Sequence, residues 1–145
     1  MTGEPGTDAA IVPPGGWARV FARSPIAMGI TVDFRFLHVN AAYCELVGRP
    51  ASELVGSDAR DLFSAEARGP LRKVADEFRQ GSPRIHLDAP FVRPDGEVRW
   101  ASIDAFLVAE EEDSGRITNV VQAVDITESH QARELEAASE RRFRK

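Results

Sequence analysis

A single cysteine, Cys44, and only three histidines occur in this chain of 145 residues. One cysteine cannot form an intramolecular disulfide, and it favours a reducing compartment, so we expect a cytoplasmic protein. His38, His86 and His130 are far apart in sequence, and no second cysteine joins them at the spacing of a metal site. The sequence therefore predicts no metal centre.

Long apolar segments are also missing. No stretch approaches the roughly 20 apolar residues that a membrane-spanning helix needs. The N-terminus lacks the basic segment and apolar run of a signal peptide. A net charge of −5 argues against a broad surface for nucleic acid or anionic lipid. We expect neither a nucleic acid nor a membrane among the partners of this domain.

Catalytic signatures are absent as well. The chain has no Gly-rich phosphate-binding loop, no nucleophile elbow and no His-Glu-x-x-His segment. Asp88, Asp95 and Asp104 lie on or beside predicted strands, but nothing pairs them as an acid and a base. The sequence predicts that the domain itself is not an enzyme, although an enzymatic output domain could belong to the same protein.

The chain does contain extended segments separated by strong turn residues. Asp95-Gly96 suits a tight turn, because Gly tolerates positive φ and Asp can hydrogen-bond its own backbone. Hydrophobic residues make up 43% of the chain, which is enough for one core. The pattern predicts a three-stranded antiparallel meander over about residues 84–126. Pro90 cannot donate to a strand ladder, so the first of these strands should lie at the sheet edge.

The first half of the chain predicts a hairpin followed by helices. Two short apolar segments, residues 26–32 and 34–39, form the hairpin. Asn40 suits the N-cap of a short helix over residues 41–47, because its side-chain oxygen can accept from a free helix amide. Further short helices and one longer helix follow, and the longer one carries an i, i+3, i+7 stripe of Leu71, Val74 and Phe78.

The two ends of the chain differ from its middle. Residues 1–16 are rich in Gly, Pro, Thr and Ala and predict a disordered leader. Trp17, Val20 and Phe21 follow at helical spacing. This helix either caps its own domain or forms a dimer contact, and aromatic residues are enriched in such contacts. Residues 128–145 predict a charged helix, which is either a linker to a following domain or a solvated single helix.

Short motifs with a characteristic order run through the chain: Phe36, Val39-Asn40-Ala41-Ala42-Tyr43, Leu46-Val47-Gly48, Glu53-Leu54-Val55-Gly56, Arg93-Pro94-Asp95-Gly96, Arg99-Trp100, Gly115-Arg116-Ile117 and Asp125-Ile126-Thr127-Glu128. Together they resemble a PAS domain, including its C-terminal PAC motif, over residues 17–127. The resemblance implies an α+β fold. A five-stranded antiparallel sheet would carry helices on one face, with an N-terminal cap helix and a C-terminal exit helix.

The resemblance also implies a function. PAS domains are typically sensor and dimerisation modules of multidomain bacterial signalling proteins, placed before histidine kinases, diguanylate cyclases or phosphatases. We therefore expect a homodimer, an output domain in the same chain, and a cavity between sheet and helices for a small apolar or metabolite ligand. The candidate cavity residues are Met28, Phe36, Tyr43, Leu46, Leu54, Leu62, Leu71, Val74, Phe78, Phe91 and Trp100.

Two versions of that function stay open. In one, a ligand binds in the cavity and biases the exit helix. In the other, the core is filled, and the domain is a ligand-free module for dimerisation and protein interaction. The nominated dimer contacts are Trp17, Val20 and Phe21, and the nominated signal-relay residues are Asp125, Ile126 and Thr127. A carboxylate near the start of the exit helix suits the helix dipole.

Two cofactors known in this family do not match the sequence. A flavin photosensor of the LOV type would need a reactive cysteine in the short helix after Gly56, and Ala59 stands there instead. An axial haem ligand usually comes from the longer helix, but residues 65–80 contain no histidine. The sequence argues against both groups and leaves the cofactor unknown.

Overall fold

Short helices and strands follow one another along residues 16–143, the part of the chain that the computed structural model describes. The helices are α1 (Gly16–Arg23), α2 (Ala41–Val47), α3 (Ala51–Leu54), α4 (Arg68–Arg79) and α5 (Thr127–Phe143). The strands are β1 (Ala27–Val32), β2 (Arg35–Val39), β3 (Arg84–Val92), β4 (Val98–Glu110) and β5 (Ile117–Asp125). Two 3₁₀ turns, Ala59–Leu62 and Ala65–Ala67, connect α3 to α4. The expected disordered leader lies outside the described residues except for Gly16.

The five strands form one antiparallel sheet in the order β2-β1-β5-β4-β3. The C-terminal meander therefore forms one side of the sheet, and the N-terminal hairpin adds to its last strand. This arrangement confirms the predicted fold class. Pro90 lies in β3, an edge strand, as its missing N–H requires. Among the described residues, none of the helices is long and apolar enough to cross a bilayer.

Local signals explain the two sharpest turns. Between β3 and β4 the Arg93 amide donates to the Glu97 carbonyl at 2.9 Å, and the Asp95 side chain accepts from the Glu97 amide at 2.9 Å. Gly96 takes a φ of 90°, which a residue with a Cβ rarely adopts. Gly48 ends α2 with a φ of 71° and donates to the Cys44 carbonyl.

Asn40 joins three elements at the start of α2. Its side-chain oxygen accepts from the amides of Tyr43 and Met28, both at 3.0 Å. Its side-chain nitrogen donates to the carbonyls of Phe21 and Ile26, also at 3.0 Å. Asn40 is only 2% exposed, so its side-chain amide has lost its hydrogen bonds to water. The four bonds to the backbone take their place. The predicted N-cap is confirmed, and it also fixes α1 and β1.

The core lies between the helices and one face of the sheet. That inner face carries small residues, and the helices and 3₁₀ turns supply larger ones such as Tyr43, Leu54, Leu62 and Phe78. The small buried residues of the strands are Ala27, Gly29, Ala89, Ala101, Ala105 and Ala123. Their lack of bulk lets the helices approach the sheet closely.

The opposite, outer face of the sheet is covered less completely. Ile30, Val120 and Phe106 lie side by side across β1, β5 and β4 and are half-buried. Val98 and Val124 on the same face are exposed. An antiparallel sheet usually packs one face on the core and leaves the other in contact with solvent.

Candidate ligand cavity and exit-helix joint

A cavity of about 70 Å³ lies between the inner face of the sheet and the helices. Its lining is mainly apolar and comes from all layers of the domain. The residues around it are Thr31, Phe34, Tyr43, Arg60, Phe63, Leu71, Val74, Phe78, Ile85, Leu87, Ile103, Ala105, Asn119 and Val121. Four residues that the sequence nominated therefore lie on the cavity: Tyr43, Leu71, Val74 and Phe78. Burial raises the pKa of Tyr43, so its hydroxyl stays neutral.

Three more nominated residues lie deeper in the core. Leu46, Leu62 and Phe91 line a separate crevice of about 10 Å³, which Tyr43 also borders. That volume is about the minimum for one water. Phe36 and Leu54 are fully buried but line neither space. These residues pack the core.

Met28 and Trp100 lie on the other side of the sheet, so their nomination as cavity residues is corrected. Successive strand side chains point to opposite faces. Ala27 and Gly29 are buried on the inner face, which turns Met28 outward. Ala101 is likewise buried, and Trp100 points outward. The sequence showed the alternation of β4, but the bulk of Trp100 suggested the wrong face.

Asn119 is the polar residue that sequence reasoning missed. It is 3% exposed, and its side-chain oxygen has no hydrogen-bond partner among the described residues. Thr31, its cross-strand neighbour on β1, is 2% exposed. Strand alternation offered the signal, since Asn119 shares a face with Val121 and Ala123. The cavity thus has an apolar body and a polar spot on the sheet.

Phe34 lies between the cavity and a neighbouring surface pocket. Its ring lines both the cavity and a surface pocket of about 400 Å³, whose other walls include Asp33, Arg60 and Arg79. Asp33 and Phe34 form the tight turn between β1 and β2 with φ values of 49° and 71°. For residues with a Cβ, this left-handed backbone costs about 1–2 kcal/mol each. The ring is thus held at this position by a strained turn.

Arg60 covers the outer side of that ring. Its guanidinium carbon lies 4.3 Å from the Phe34 ring centroid, within the range of a cation–π contact. Asp58 holds the same guanidinium through two bonds, from Nε at 2.9 Å and from Nη2 at 2.7 Å. These hydrogen bonds keep the pKa of Asp58 below its ordinary value, although burial opposes them. The positive charge at the mouth of the cavity is therefore already paired.

The start of α5 is tied to the sheet by a second group of contacts. The Arg99 side chain donates to Asp125 at 2.6 Å. Asp125 also accepts from the Thr127 amide at 2.8 Å and from its hydroxyl. The Thr127 hydroxyl in turn accepts from the Trp100 amide at 2.9 Å. The Trp100 ring stacks on His130 with centroids 3.7 Å apart. We call these five residues the exit joint.

The three nominated relay residues all lie at this joint. Desolvation alone would raise the pKa of Asp125, but the bonds from Arg99 and Thr127 outweigh it and lower the pKa. Ile126 takes part through its backbone, since its amide donates to the Trp100 carbonyl at 2.8 Å. The joint therefore connects β4, β5 and the first turn of α5.

The nominated dimer contacts lie on α1. None of its residues is buried, and the side chains of Trp17 and Val20 are 63% and 56% exposed. Phe21 is half-buried, and its carbonyl accepts from Asn40. The helix is therefore anchored at its backbone and presents apolar side chains to solvent.

Another polar group lies on the outer face. His86 Nδ1 is 3.1 Å from Asp104, and its Nε2 is 3.1 Å from Asp88. The hydrogen bond with Asp104 is the main reason why the pKa of His86 is raised. No group of three or more ligating side chains that could hold a metal occurs in residues 16–143.

The lining does not fit a flavin of the LOV type. Ala59 packs against the core where a thiol would be needed for a covalent adduct. Pockets for drug-sized ligands typically have about 300–1,000 Å³, which is several times the cavity of about 70 Å³. The residues present suit a much smaller molecule.

A five-stranded antiparallel sheet with short helices on one face, a small cavity between sheet and helices, and a helix leaving its last strand define a small α+β domain. The profile of the PAS domain family matches residues 24–128, and this chain belongs to that family. No curated protein sequence gives a significant match.

Solved structures share the fold at low identity. The PAS domain of a protein from Colwellia psychrerythraea superposes with a TM-score of 0.67 at 14% identity, covering 77% of this chain and 94% of that one. A PAS domain from a two-component sensor histidine kinase gives 0.60 at 13%, covering 74% and 90%. The PAS domain, in complex with ethanol, of a LuxR-family transcriptional regulator from Burkholderia thailandensis gives 0.63 at 15%, covering 76% and 96%.

Proposed function

We propose that this domain is a sensory and regulatory module that passes a change in its sheet to α5, and through α5 to an output domain in the same chain. The exit joint is the observation that carries the proposal. The Trp100 backbone amide of β4 and the Asp125 side chain of β5 both hydrogen-bond Thr127 at the start of α5, so a shift between these strands is expected to move the helix. Histidine kinases, diguanylate cyclases and phosphatases are the output classes that fit such a module.

The proposal has a simple thermodynamic form. The domain would exist in two states that differ in the angle of α5, and a signal shifts their populations only by its differential affinity for them. Residues 17–127 would form the sensory domain and residues 128–145 the helical linker. The single free cysteine is consistent with work in the cytoplasm.

A distance measurement tests the joint. One spin label replaces Leu135 on α5 and another replaces Val108 on β4, both exposed, in a chain carrying Cys44→Ser. Thr127→Val keeps the shape of the side chain but removes its hydrogen bonds to Trp100 and Asp125. We expect the label-to-label distance distribution to broaden or shift.

Thr118→Val is the matched control, because this residue lies on β5 away from the joint. It should leave the distribution unchanged. Identical distributions for Thr127→Val and the unsubstituted chain would contradict a relay through the joint.

Self-association is the second part of the proposal. The exposed apolar side chains of α1 and the half-buried stripe of Ile30, Phe106 and Val120 suit a homodimer contact. We expect Trp17→Glu to shift a dimer to monomer in sedimentation velocity. Leu135→Glu, on the exposed face of α5, serves as the control and should not. A chain that is monomeric at high concentration before any substitution would overturn this part.

The two sensing modes make different demands on the cavity. A filled, ligand-free core is favoured by its small volume, which excludes most metabolites. A ligand is favoured by the cavity itself, which is lined mainly by apolar side chains and leaves room for a compact molecule.

A further inference from the structure

Arg93 links two elements that are far apart in the chain. It follows β3 directly, and its side chain reaches the last turn of α2. Its Nη1 atom donates to the carbonyl of Leu46 at 2.6 Å and to that of Glu45 at 3.1 Å. The last carbonyls of a helix have no partner inside the helix, and α2 has no basic residue of its own in its last turn. Arg93 therefore caps the C-terminal end of α2 from across the fold.

Gly48, at the end of α2, leaves the space for this contact. A Cβ at that position would lie 3.0 Å from Nη2 of Arg93 and 3.2 Å from Cδ of Pro94. Contacts this short are rare for a Cβ atom. Gly48 therefore allows the guanidinium to approach the helix end closely, in addition to supplying the left-handed residue that ends the helix.

A line of charged side chains leads from Arg93 to the exit joint. Arg93 Nε lies 3.5 Å from Oε1 of Glu97 across the β3–β4 turn. The other oxygen of Glu97, Oε2, accepts from Arg99 Nη1 at 3.1 Å. Arg99 Nε donates to Asp125 at 2.6 Å, and Asp125 accepts from the Thr127 amide at 2.8 Å. Alternating charges thus connect the end of α2 to the start of α5 along the surface of the domain.

Exposure indicates what this line of charges can do. The four charged side chains are between 29% and 48% exposed. Ion pairs at such positions contribute little to the free energy of unfolding. Their geometry is more specific, because a guanidinium is planar and presents its N–H groups in fixed directions. Since Arg99 bonds Glu97 and Asp125 at the same time, the position of Glu97 constrains the direction from which Arg99 meets Asp125.

We propose that Arg93 is a positioning residue for α5. It holds Glu97 in place, and Glu97 sets the plane of Arg99. Arg99 in turn orients the Asp125 carboxylate that binds the first turn of α5. This inference rests on the proposed relay function and adds a second input to it. Because α2 carries Tyr43 on the cavity wall, a displacement of α2 would reach α5 along this line as well as through the sheet.

The solvent-exchange rate of the Thr127 backbone amide, measured by NMR in the full chain, tests this role. That amide is bonded to the Asp125 side chain, so a carboxylate that loses its orientation exposes it to water. We expect Arg93→Gln and Glu97→Gln each to accelerate this exchange several-fold. Glu97→Gln leaves the cap of α2 in place, so it reports on the line of charges even if Arg93→Gln weakens the fold. Unchanged exchange in Glu97→Gln would overturn the inference.

Arg49→Gln is the matched control. Arg49 also follows α2, and its side chain is 31% exposed, but it pairs with Glu53 at 3.9 Å. Loss of this charge should leave the exchange of the Thr127 amide unchanged. If Arg49→Gln accelerates the exchange as much as Arg93→Gln does, net charge alone controls the joint and Arg93 has no positioning role.

The double variant Arg93→Gln/Glu97→Gln distinguishes a connected line from two independent effects. If Arg93 acts through Glu97, its loss adds nothing once the Glu97 carboxylate is gone. The double variant should therefore exchange at the rate of Glu97→Gln alone. Effects that multiply would show that Arg93 reaches α5 by another route, which would contradict the proposed order of contacts.

These outcomes are separate from those of the relay proposal. If Thr127→Val changes the distance distribution between positions 135 and 108, but Arg93→Gln leaves the exchange of the Thr127 amide unchanged, the relay stands and the positioning role of Arg93 falls. If Thr127→Val leaves the distribution unchanged while Arg93→Gln accelerates the exchange, Arg93 still orients the joint and the relay falls.

Discussion

Two buried asparagines occupy opposite ends of the same hydrophobic core, and their surroundings differ. Asn40 is 2% exposed and makes four hydrogen bonds that hold α1, β1 and α2 together. Asn119 is 3% exposed, and its oxygen has no hydrogen-bond partner among the described residues. The same side chain thus stabilises the fold at one site and leaves an open demand at the other. An unmet demand in a folded core is typical of a functional position.

The largest effect should come from removing the satisfied asparagine. Asn40→Leu abolishes the N-cap of α2. It also leaves two backbone amides and two backbone carbonyls without their hydrogen-bond partner. We expect the free energy of unfolding to fall by about 3–5 kcal/mol, from the cap and the unsatisfied groups together. Chemical denaturation measures it. A loss below about 1 kcal/mol would mean that water can replace this side chain, and the contrast between the two sites would disappear.

A pair of alanine substitutions compares packing at the two sites. Ala89 is 1% exposed and lines no cavity, whereas Ala105 lines the cavity. Ala89→Val should destabilise the protein by about 1–3 kcal/mol through overpacking. Ala105→Val should change the stability by less than about 0.5 kcal/mol, since its added methyl groups have space. Equal losses in thermal or chemical unfolding would show that the cavity does not accommodate added atoms.

Replacing the unsatisfied asparagine should have a smaller effect of opposite sign. Asn119→Leu removes a buried amide that lacks a partner and keeps its volume. We expect the free energy of unfolding to stay equal or to rise by up to about 1 kcal/mol. Chemical denaturation of Asn119→Leu and Asn40→Leu, measured side by side, compares the same substitution at the two sites. A loss of more than about 2 kcal/mol would indicate that Asn119 is already satisfied, by water for example.

The smallest expected effect is the dependence of stability on pH. Asparagine side chains do not titrate, so this dependence comes from other groups, among them His86. The pKa of His86 is raised in the folded state, mainly by its hydrogen bond with Asp104. Its contribution to stability is therefore complete below its unfolded pKa of about 6.5 and is lost as the pH rises through the higher folded value. His86→Gln should make the free energy of unfolding less dependent on pH. The change should be well under about 1 kcal/mol, since solvent screens this exposed group. If the free energy of unfolding depends on pH in the same way in His86→Gln and in the unsubstituted chain, His86 is not the source of that dependence.

Sequence patterns were sufficient wherever a local rule decides the structure. The N-cap at Asn40, the turn at Asp95-Gly96 and the edge position of Pro90 each follow from the hydrogen bonds that one residue can or cannot make. The order of strands and helices followed from the hydrophobic pattern and the turn residues, and their assembly into one five-stranded sheet followed from the resemblance to PAS domains. Three of the four nominated residues that line the cavity, Leu71, Val74 and Phe78, do so because the helical stripe of α4 faces the core.

What the sequence could not decide was which face of each strand turns inward. Many positions of the inner face are alanine or glycine, for example Ala27, Gly29 and Ala101, and such small residues give only a weak hydrophobic signal. Trp100 and Met28 are larger and therefore looked like core residues, although they lie outside. Asn119 was missed for the same reason, since a polar residue among Val and Ile suggests an outward position. Only the packing of helices against small residues fixes the choice.

One NMR comparison tests the central claim, that events in the cavity reach α5 through the exit joint. Ala105→Val adds two methyl groups to the cavity lining, and the backbone amide signal of His130 is recorded with and without this substitution. We expect Ala105→Val to shift the His130 signal, and Thr127→Val to abolish that shift when the two substitutions are combined. A His130 signal that Ala105→Val does not move would contradict a relay through the joint.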